Sequence, residues 1–185
     1  MALTKTPVCD FGKKAEDFKL KSINNKVVTL NDIKGEKATL IMFICNHCPY
    51  VKAIIKDLAK DCNELRNDGI NSVAIMSNDT KNYPEDSFDN MIKFAEINNF
   101  GEINYLFDET QEIAKKYGAV CTPDFFGYNK DLKLQYRGRF RELKDLKPIN
   151  NGESDLKVAM KMVAQTQKGP DQQIPSMGCN IKWFN

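Results

Sequence analysis

An uncharged apolar run that breaks at two cysteines and resumes as an amphipathic helix constrains this chain more than any other feature. Ala38-Thr39-Leu40-Ile41-Met42-Phe43-Ile44 is apolar, partly β-branched and free of charge, the pattern of a strand covered on both faces. Cys45-Asn46-His47-Cys48 follows directly, and then Val51, Ile55, Leu58, Cys62 and Leu65 recur at alternating steps of four and three, one face of a helix. Pro49 falls just inside the helix start, where a missing N–H is harmless. Both cysteines therefore sit at a strand-to-helix junction, where unpaired N–H groups and the helix dipole favour an anion such as a thiolate, and the lowered pKa is expected on Cys45, with Cys48 deeper and shielded. They are close enough in sequence for a short-loop disulfide. This reads as a redox site.

Two blander readings stand beside it. Cys45 and Cys48 can be small core residues, since free cysteine packs well. They can also be half of a zinc site, but such sites take four ligands, and the chain has no second Cys-x-x-Cys. A mixed site would draw on His47, the only histidine, and on Cys121.

At 185 residues the chain is expected to form a single domain, 1–185, with irregular extensions at 1–16 and 167–185. Its 27 basic residues nearly balance 25 acidic ones, without a basic cluster, which argues against nucleic acid or an anionic membrane as a partner. The longest apolar run, Ala38 to Cys45, is far too short to span a bilayer. The first residues resemble neither a secretory signal nor a transit peptide, so the expected location is cytoplasmic. Six cysteines in that compartment point to thiol chemistry rather than a disulfide framework.

Along the chain, short alternating runs around Asn24-Asn25 predict a hairpin from Phe18 to Leu30. Asn31 to Gly35 reads as a turn. Ile70 to Ser77 is a second buried strand, with a polar loop, Asn78 to Glu85, at its carboxyl end. Phe88, Met91, Ile92 and Ala95 mark one helix. Asp108 and Gln111 resemble a capping box for another, closed by Gly118. Asp124 to Tyr128 and Leu134 to Phe140 read as a second hairpin, and Leu156, Ala159, Met160 and Val163 as a last helix. Alternating strands and helices of this kind describe an α/β fold, helices flanking a central mixed β-sheet.

Three features carry a family resemblance: the strand–Cys-Asn-His-Cys–helix unit, the Gly118-Ala119-Val120-Cys121-Thr122-Pro123 loop, and the leading hairpin. Together with the Cys45–Val51 stretch, the Asn78-to-Pro84 region, Tyr136-Arg137-Gly138-Arg139-Phe140 and Pro175 to Trp183, they make the chain similar to the thioredoxin-like superfamily. The nearest branch is that of the redoxins related to alkyl hydroperoxide reductase and thiol-specific antioxidant proteins. The resemblance implies a thiol–disulfide oxidoreductase in which Cys45 attacks a disulfide and Cys48 resolves the mixed disulfide. Pro123 would be cis, and the Thr122 backbone would pair with an extended segment of the partner. No cofactor and no metal is implied. The expected partners are a disulfide-bearing protein or small molecule and a thiol reductant, with neither nucleic acid nor membrane.

The chain departs from the pattern in places. Ile44 stands where thioredoxins usually carry Trp, and Thr39 where they bury an acid. His47, when protonated, is expected to place a positive charge beside the Cys45 thiolate and stabilise the reduced pair. The rival activity is a thiol-dependent peroxidase. Its Pro-x-x-x-Thr/Ser-x-x-Cys signature fits neither cysteine: the counts back reach Ile41 and Cys45, or Ala38 and Met42. Arg137, Arg139 and Arg141 are candidates for an anion-stabilising charge, though basic residues on a strand end usually solvate an edge.

Four further cysteines need a place. Cys9 reads as an incidental thiol in a polar stretch. Cys121, beside Thr122, and Cys179, in a tail apolar enough to dock, are candidate third redox thiols. Cys62 shares the inward face of the first helix, so packing explains it. Cys62→Ala is expected to cost about 1 kcal/mol through a small cavity and to leave turnover intact, as read by chemical denaturation beside an activity assay.

Overall fold

The computed structural model describes residues 3–7 and 10–184. Its strands are β1 (Leu3–Lys5), β2 (Lys19–Ser22), β3 (Val27–Thr29), β4 (Ala38–Phe43), β5 (Ile70–Met76), β6 (Asn104–Phe107), β7 (Cys121–Thr122), β8 (Asp124–Asn129), β9 (Leu134–Tyr136), β10 (Leu143–Lys144), β11 (Lys147–Pro148) and β12 (Met177–Asn180). The helices are α1 (Leu30–Ile33), α2 (Pro49–Arg66), α3 (Phe88–Ile97), α4 (Glu112–Tyr117) and α5 (Asp155–Thr166). Seven strands form one mixed sheet in the order β3-β2-β6-β5-β4-β8-β9.

The central strand explains the layering. All six residues of β4 are buried, because it pairs in parallel with β5 and antiparallel with β8. Alternation then sends its side chains to opposite faces. Leu40 and Met42 join one apolar layer with Val51, Leu58, Met160 and Val163 from α2 and α5. Ile41 and Phe43 join the other with Val73, Phe126 and the α4 residues Ile113 and Tyr117. A parallel pair needs a crossover, and α2 supplies the one between β4 and β5. Its buried face, with Val51, Ile55, Leu58, Cys62 and Leu65, is the one the spacing predicts.

The leading hairpin forms as β2–β3, with Asn25 in the left-handed region at its turn. Where a turn is expected at 31–35, a single helical turn, α1, forms on a capping box between Thr29 and Asp32. The expected Asp108–Gln111 box does not form. The Gln111 amide donates instead to the carbonyls of Ser77 and Lys182, while the Asp108 carboxylate accepts from the N–H groups of Ile113 and Ala114. Helix α4 therefore starts at Glu112. The strand expected through Phe140 ends at Tyr136.

The two segments expected to be irregular contain strands. β12 pairs antiparallel with β7 on one side and with β1 on the other. Gly178 permits this approach, since a Cβ there would lie 2.1 Å from the Thr122 carbonyl oxygen. Beyond β12, Ile181 is buried and the Lys182 N–H donates to Asn78 Oδ1 at 2.9 Å.

The loop that carries Thr122 is bracketed by a buried ion pair. Arg137 Nη2 lies 2.9 Å from Asp124 Oδ2 and donates to the Gly118 carbonyl at 2.8 Å. Its guanidinium also stacks over Phe126. Arg137→Met, which leaves Asp124 buried and unpaired, is expected to cost about 3–5 kcal/mol. Adding Asp124→Asn should restore much of that loss, both read from urea unfolding.

Candidate active site

The chain leaves the sheet after Phe43, and the Ile44 N–H still donates to Ile75 O at 3.0 Å. The next four residues form a loop that one buried carboxylate organises. Asp86 Oδ1 accepts from the backbone N–H groups of Asn46 at 2.7 Å and His47 at 3.2 Å. Its Oδ2 accepts from His47 Nδ1 at 2.7 Å and from Asn78 Nδ2 at 2.8 Å. The Asn46 side chain closes the loop from below, donating to Glu85 O and accepting from the Tyr105 hydroxyl at 2.9 Å. The His47 ring stacks on Tyr83, with centroids 5.6 Å apart.

The Asp86 hydrogen bond raises the His47 pKa above its ordinary value against the opposing effect of burial. Burial pushes the Asp86 carboxyl upward, but the bonds from His47 and Asn78 outweigh it and hold it low. When His47 is protonated its charge therefore meets Asp86, rather than standing uncompensated beside Cys45.

Thr122 touches both sulfurs of the motif. Its Oγ1 lies 3.2 Å from Cys45 Sγ, and its carbonyl oxygen 3.1 Å from Cys48 Sγ. The Thr122-Pro123 bond is cis, as expected. Both cysteines are buried and unbridged. A hydrogen bond shared between them sets their protonation. It pushes Cys45 well above a normal thiol, with burial and the Asp86 charge adding to the effect. It pulls Cys48 down to about 5 against burial, helped by the Cys179 thiol and the N–H groups of Val51 and Cys179. The helix-start argument assigns the lower pKa to Cys45. The contacts place it on Cys48, the N-cap residue of α2, chiefly through the hydrogen bond from Cys45.

The remaining thiols separate clearly. Cys62 is buried 3.9 Å from Met42 Sδ, and burial lifts it to about 12. Cys121 is fully buried, its sulfur 3.5 Å from the Pro123 carbonyl, and burial raises it as well. Cys179 lies with its sulfur 3.1 Å from Cys48 Sγ. Cys9 falls outside the described residues. The β7 edge expected to receive a partner's strand is already taken: Cys179 of β12 stands opposite Thr122.

The sequence assigns no role to Asp86 or Tyr105, nor to Asn46, Asn78 and Tyr83 within the segments that carry the resemblance. One signal for three of them was present. The loop that holds Asn78 and Tyr83 and leads into Asp86 follows the carboxyl end of β5, the strand beside β4, and α/β sheets gather ligands at such ends. Cys45, His47 and Asp86 also form the one group, among the described residues, whose ligand atoms lie within 4.8 Å of one another. Both Asp86 oxygens are already engaged by four donors. That donor set fits a hydrogen-bonded brace better than a metal.

A cis-proline loop facing a Cys-x-x-Cys at the end of a central strand defines a thioredoxin-like protein. The AhpC/TSA family matches residues 11–137, and the chain belongs to it. An uncharacterized conserved protein from Geobacillus kaustophilus is 42% identical, with 100% of this chain and 97% of that one covered at a TM-score of 0.89. A hypothetical protein from Sinorhizobium meliloti is 36% identical over 98% of both chains, at a TM-score of 0.90. The thioredoxin domain of a thiol-disulfide oxidoreductase from Bacteroides vulgatus shares the fold at 18% identity and a TM-score of 0.59, covering 70% of this chain and 89% of that one. No curated protein matches significantly. Among the described residues, no helix is long and apolar enough to cross a membrane.

Because His47 is the only histidine, its titration is read directly from the imidazole signals in an NMR pH series. The wild-type midpoint is expected above 6.5, and Asp86→Asn, which removes the carboxylate charge, should lower it. An unchanged midpoint would remove Asp86 as its cause.

Proposed function

We propose that the protein is a thiol–disulfide oxidoreductase working through Cys45 and Cys48. The observation that carries this reading is the cis Thr122-Pro123 loop set against both sulfurs, its hydroxyl 3.2 Å from Cys45 Sγ and its carbonyl oxygen 3.1 Å from Cys48 Sγ; the hydrogen bond between the thiols, which lowers Cys48 to about 5 and raises Cys45, agrees with it. Such a pair titrates as a unit. A hydrogen bond from one thiol to the other favours a single thiolate within the pair.

Cys48 is walled in by the Thr122 carbonyl, Cys179 and the first turn of α2. Cys45 lies ahead of the helix and meets the Thr122 hydroxyl. Cys45 is therefore the sulfur that meets the partner. Passing its proton to Cys48, it attacks a partner disulfide and one partner thiolate leaves. The leaving thiolate takes that proton, and Cys48 then attacks Cys45, closing Cys45–Cys48 and releasing the second partner sulfur as a thiolate, which solvent protonates. The partner is reduced by two electrons and the pair oxidised by two.

His47 braces the loop through Asp86, Thr122 positions both sulfurs, and Pro123 helps line a cavity of about 470 Å³ with Tyr50, Ile54, Phe140 and Ile174. That cavity offers a partner a partly apolar surface beside the motif, in place of the strand edge that β12 fills. A protein or small-molecule disulfide and a thiol reductant fit this scheme. Cysteines held as thiols also suit a reducing, cytoplasmic setting.

Peroxide reduction is the second reading, and the Thr122 hydroxyl beside Cys45 is the observation in its favour. Against it, the three candidate arginines are committed elsewhere. Arg137 pairs with Asp124, Arg139 with Asp155 and Glu142, and Arg141 with Asp57. Side-by-side turnover of an insulin-type disulfide and of hydrogen peroxide separates the two.

Disulfide turnover is expected to dominate, and Cys45→Ser or Cys48→Ser to lower it by about a hundredfold or more, since the thiolate is the nucleophile. Thiolate absorbance of the reduced pair should vanish as pH falls through about 5. Peroxide turnover exceeding disulfide turnover would reverse the assignment.

A further inference from the structure

We propose that Cys179 is a third redox thiol, which closes a second disulfide onto Cys48 and so carries oxidising equivalents from the motif to the C-terminal strand. The proposal rests on the reading of Cys45–Cys48 as an exchange site.

Cys48 is the middle sulfur of three. It hydrogen-bonds with Cys45 and lies 3.1 Å from Cys179 Sγ. A disulfide is about 2.05 Å long, so closing the second bridge requires about 1 Å of sulfur movement. Packing accounts for Cys62, whose sulfur meets the side chain of a core methionine. It does not account for a sulfur set 3.1 Å from the second cysteine of the motif.

The backbone around Cys179 is built for the approach. Gly178 leaves no Cβ to strike the Thr122 carbonyl, which brings Cys179 into register opposite Thr122. The Ser176 hydroxyl donates to Pro123 O at 2.7 Å, and the Thr6 N–H to Ser176 O at 3.0 Å. The strand is thus tied to the cis-proline loop on one side of Cys179. Lys182 ties it to Asn78 on the other. Cys121 is placed for no such role, since its sulfur turns to the Pro123 carbonyl.

The step is an internal exchange. After a partner disulfide has been reduced and Cys45–Cys48 formed, Cys179 attacks Cys48 Sγ. The Cys48–Cys179 bond forms and the Cys45–Cys48 bond breaks. Its electron pair leaves on Cys45, which takes up the proton given by Cys179. The protein stays oxidised by two electrons, while Cys45 is a thiol again beside the Thr122 hydroxyl. A thiol reductant then opens Cys48–Cys179, two reductant thiols becoming one disulfide. In the reduced protein, burial and the hydrogen bond to Cys48 hold Cys179 at about 12. Oxidation of Cys48 removes the second of these causes, so Cys179 becomes easier to ionise when it is needed.

The test oxidises the reduced full-length protein with diamide, a two-electron thiol oxidant, and quenches it with acid and N-ethylmaleimide. Tryptic peptides are then mapped without reduction. Cleavage after Lys37, Lys52, Lys168 and Lys182 puts Cys45 and Cys48 on one peptide and Cys179 on another. The expected product joins the two peptides, with Cys48 bonded to Cys179 and Cys45 alkylated. In Cys45→Ser, this linked species should rise severalfold and become the main oxidised form. If the wild type shows only the internal Cys45–Cys48 bridge and Cys179 stays alkylated in both proteins, the proposal is overturned while the exchange site stands. Loss of every bridge together with disulfide turnover overturns both. A Cys45–Cys179 link overturns the order of transfer.

Discussion

The covering of β4 on both faces governs everything that follows in the chain. A strand with apolar layers above and below cannot end in a solvated turn without exposing one of them. Its exit runs instead into a buried loop, Cys45 to Cys48, and that loop must find partners for every polar group it carries. Buried amides left unpaired cost about 1–3 kcal/mol each. One carboxylate, Asp86, satisfies two of them and the histidine as well. The reactive loop is thus rigid because the sheet beneath it is dry.

Protonation follows from the same burial. Desolvation alone would keep both motif thiols neutral, and it prevails at Cys62, over a hydrogen bond with Ser72, and at Cys121, over the nearby charge of Arg137. The pair escapes because the sulfurs solvate each other. Charge on one is offset by a hydrogen bond from the next, so acidity belongs to the cluster rather than to a residue. That is why helix-dipole reasoning from the sequence chose Cys45, whereas the contacts favour Cys48.

What was legible in the sequence was whatever a local pattern records. The apolar run of β4, the face of α2, the β2–β3 hairpin and the Thr122-Pro123 loop each announce themselves through a few neighbouring residues. Asp86 does not, because its role depends on two loops meeting across the end of the sheet, and nothing in Pro84-Glu85-Asp86 distinguishes it from a solvated acidic turn. β12 was hidden for another reason. Met177-Gly178-Cys179-Asn180 has neither alternation nor β-branching, and its stability comes from pairing with strands far away in sequence. Arg137 reads as a basic edge residue until Asp124 is seen, fully buried, beneath it.

β12 lies between β1 and β7, with Leu3 opposite Cys179 and Cys179 opposite Thr122. One short ladder therefore connects positions 3, 179 and 122, which sequence separates widely, and it ends against the two sulfurs of the motif. A change in β1 reaches Cys48 through two strand pairings without touching α2. The small three-stranded sheet is thus as much a wall of the site as the helix that follows the motif.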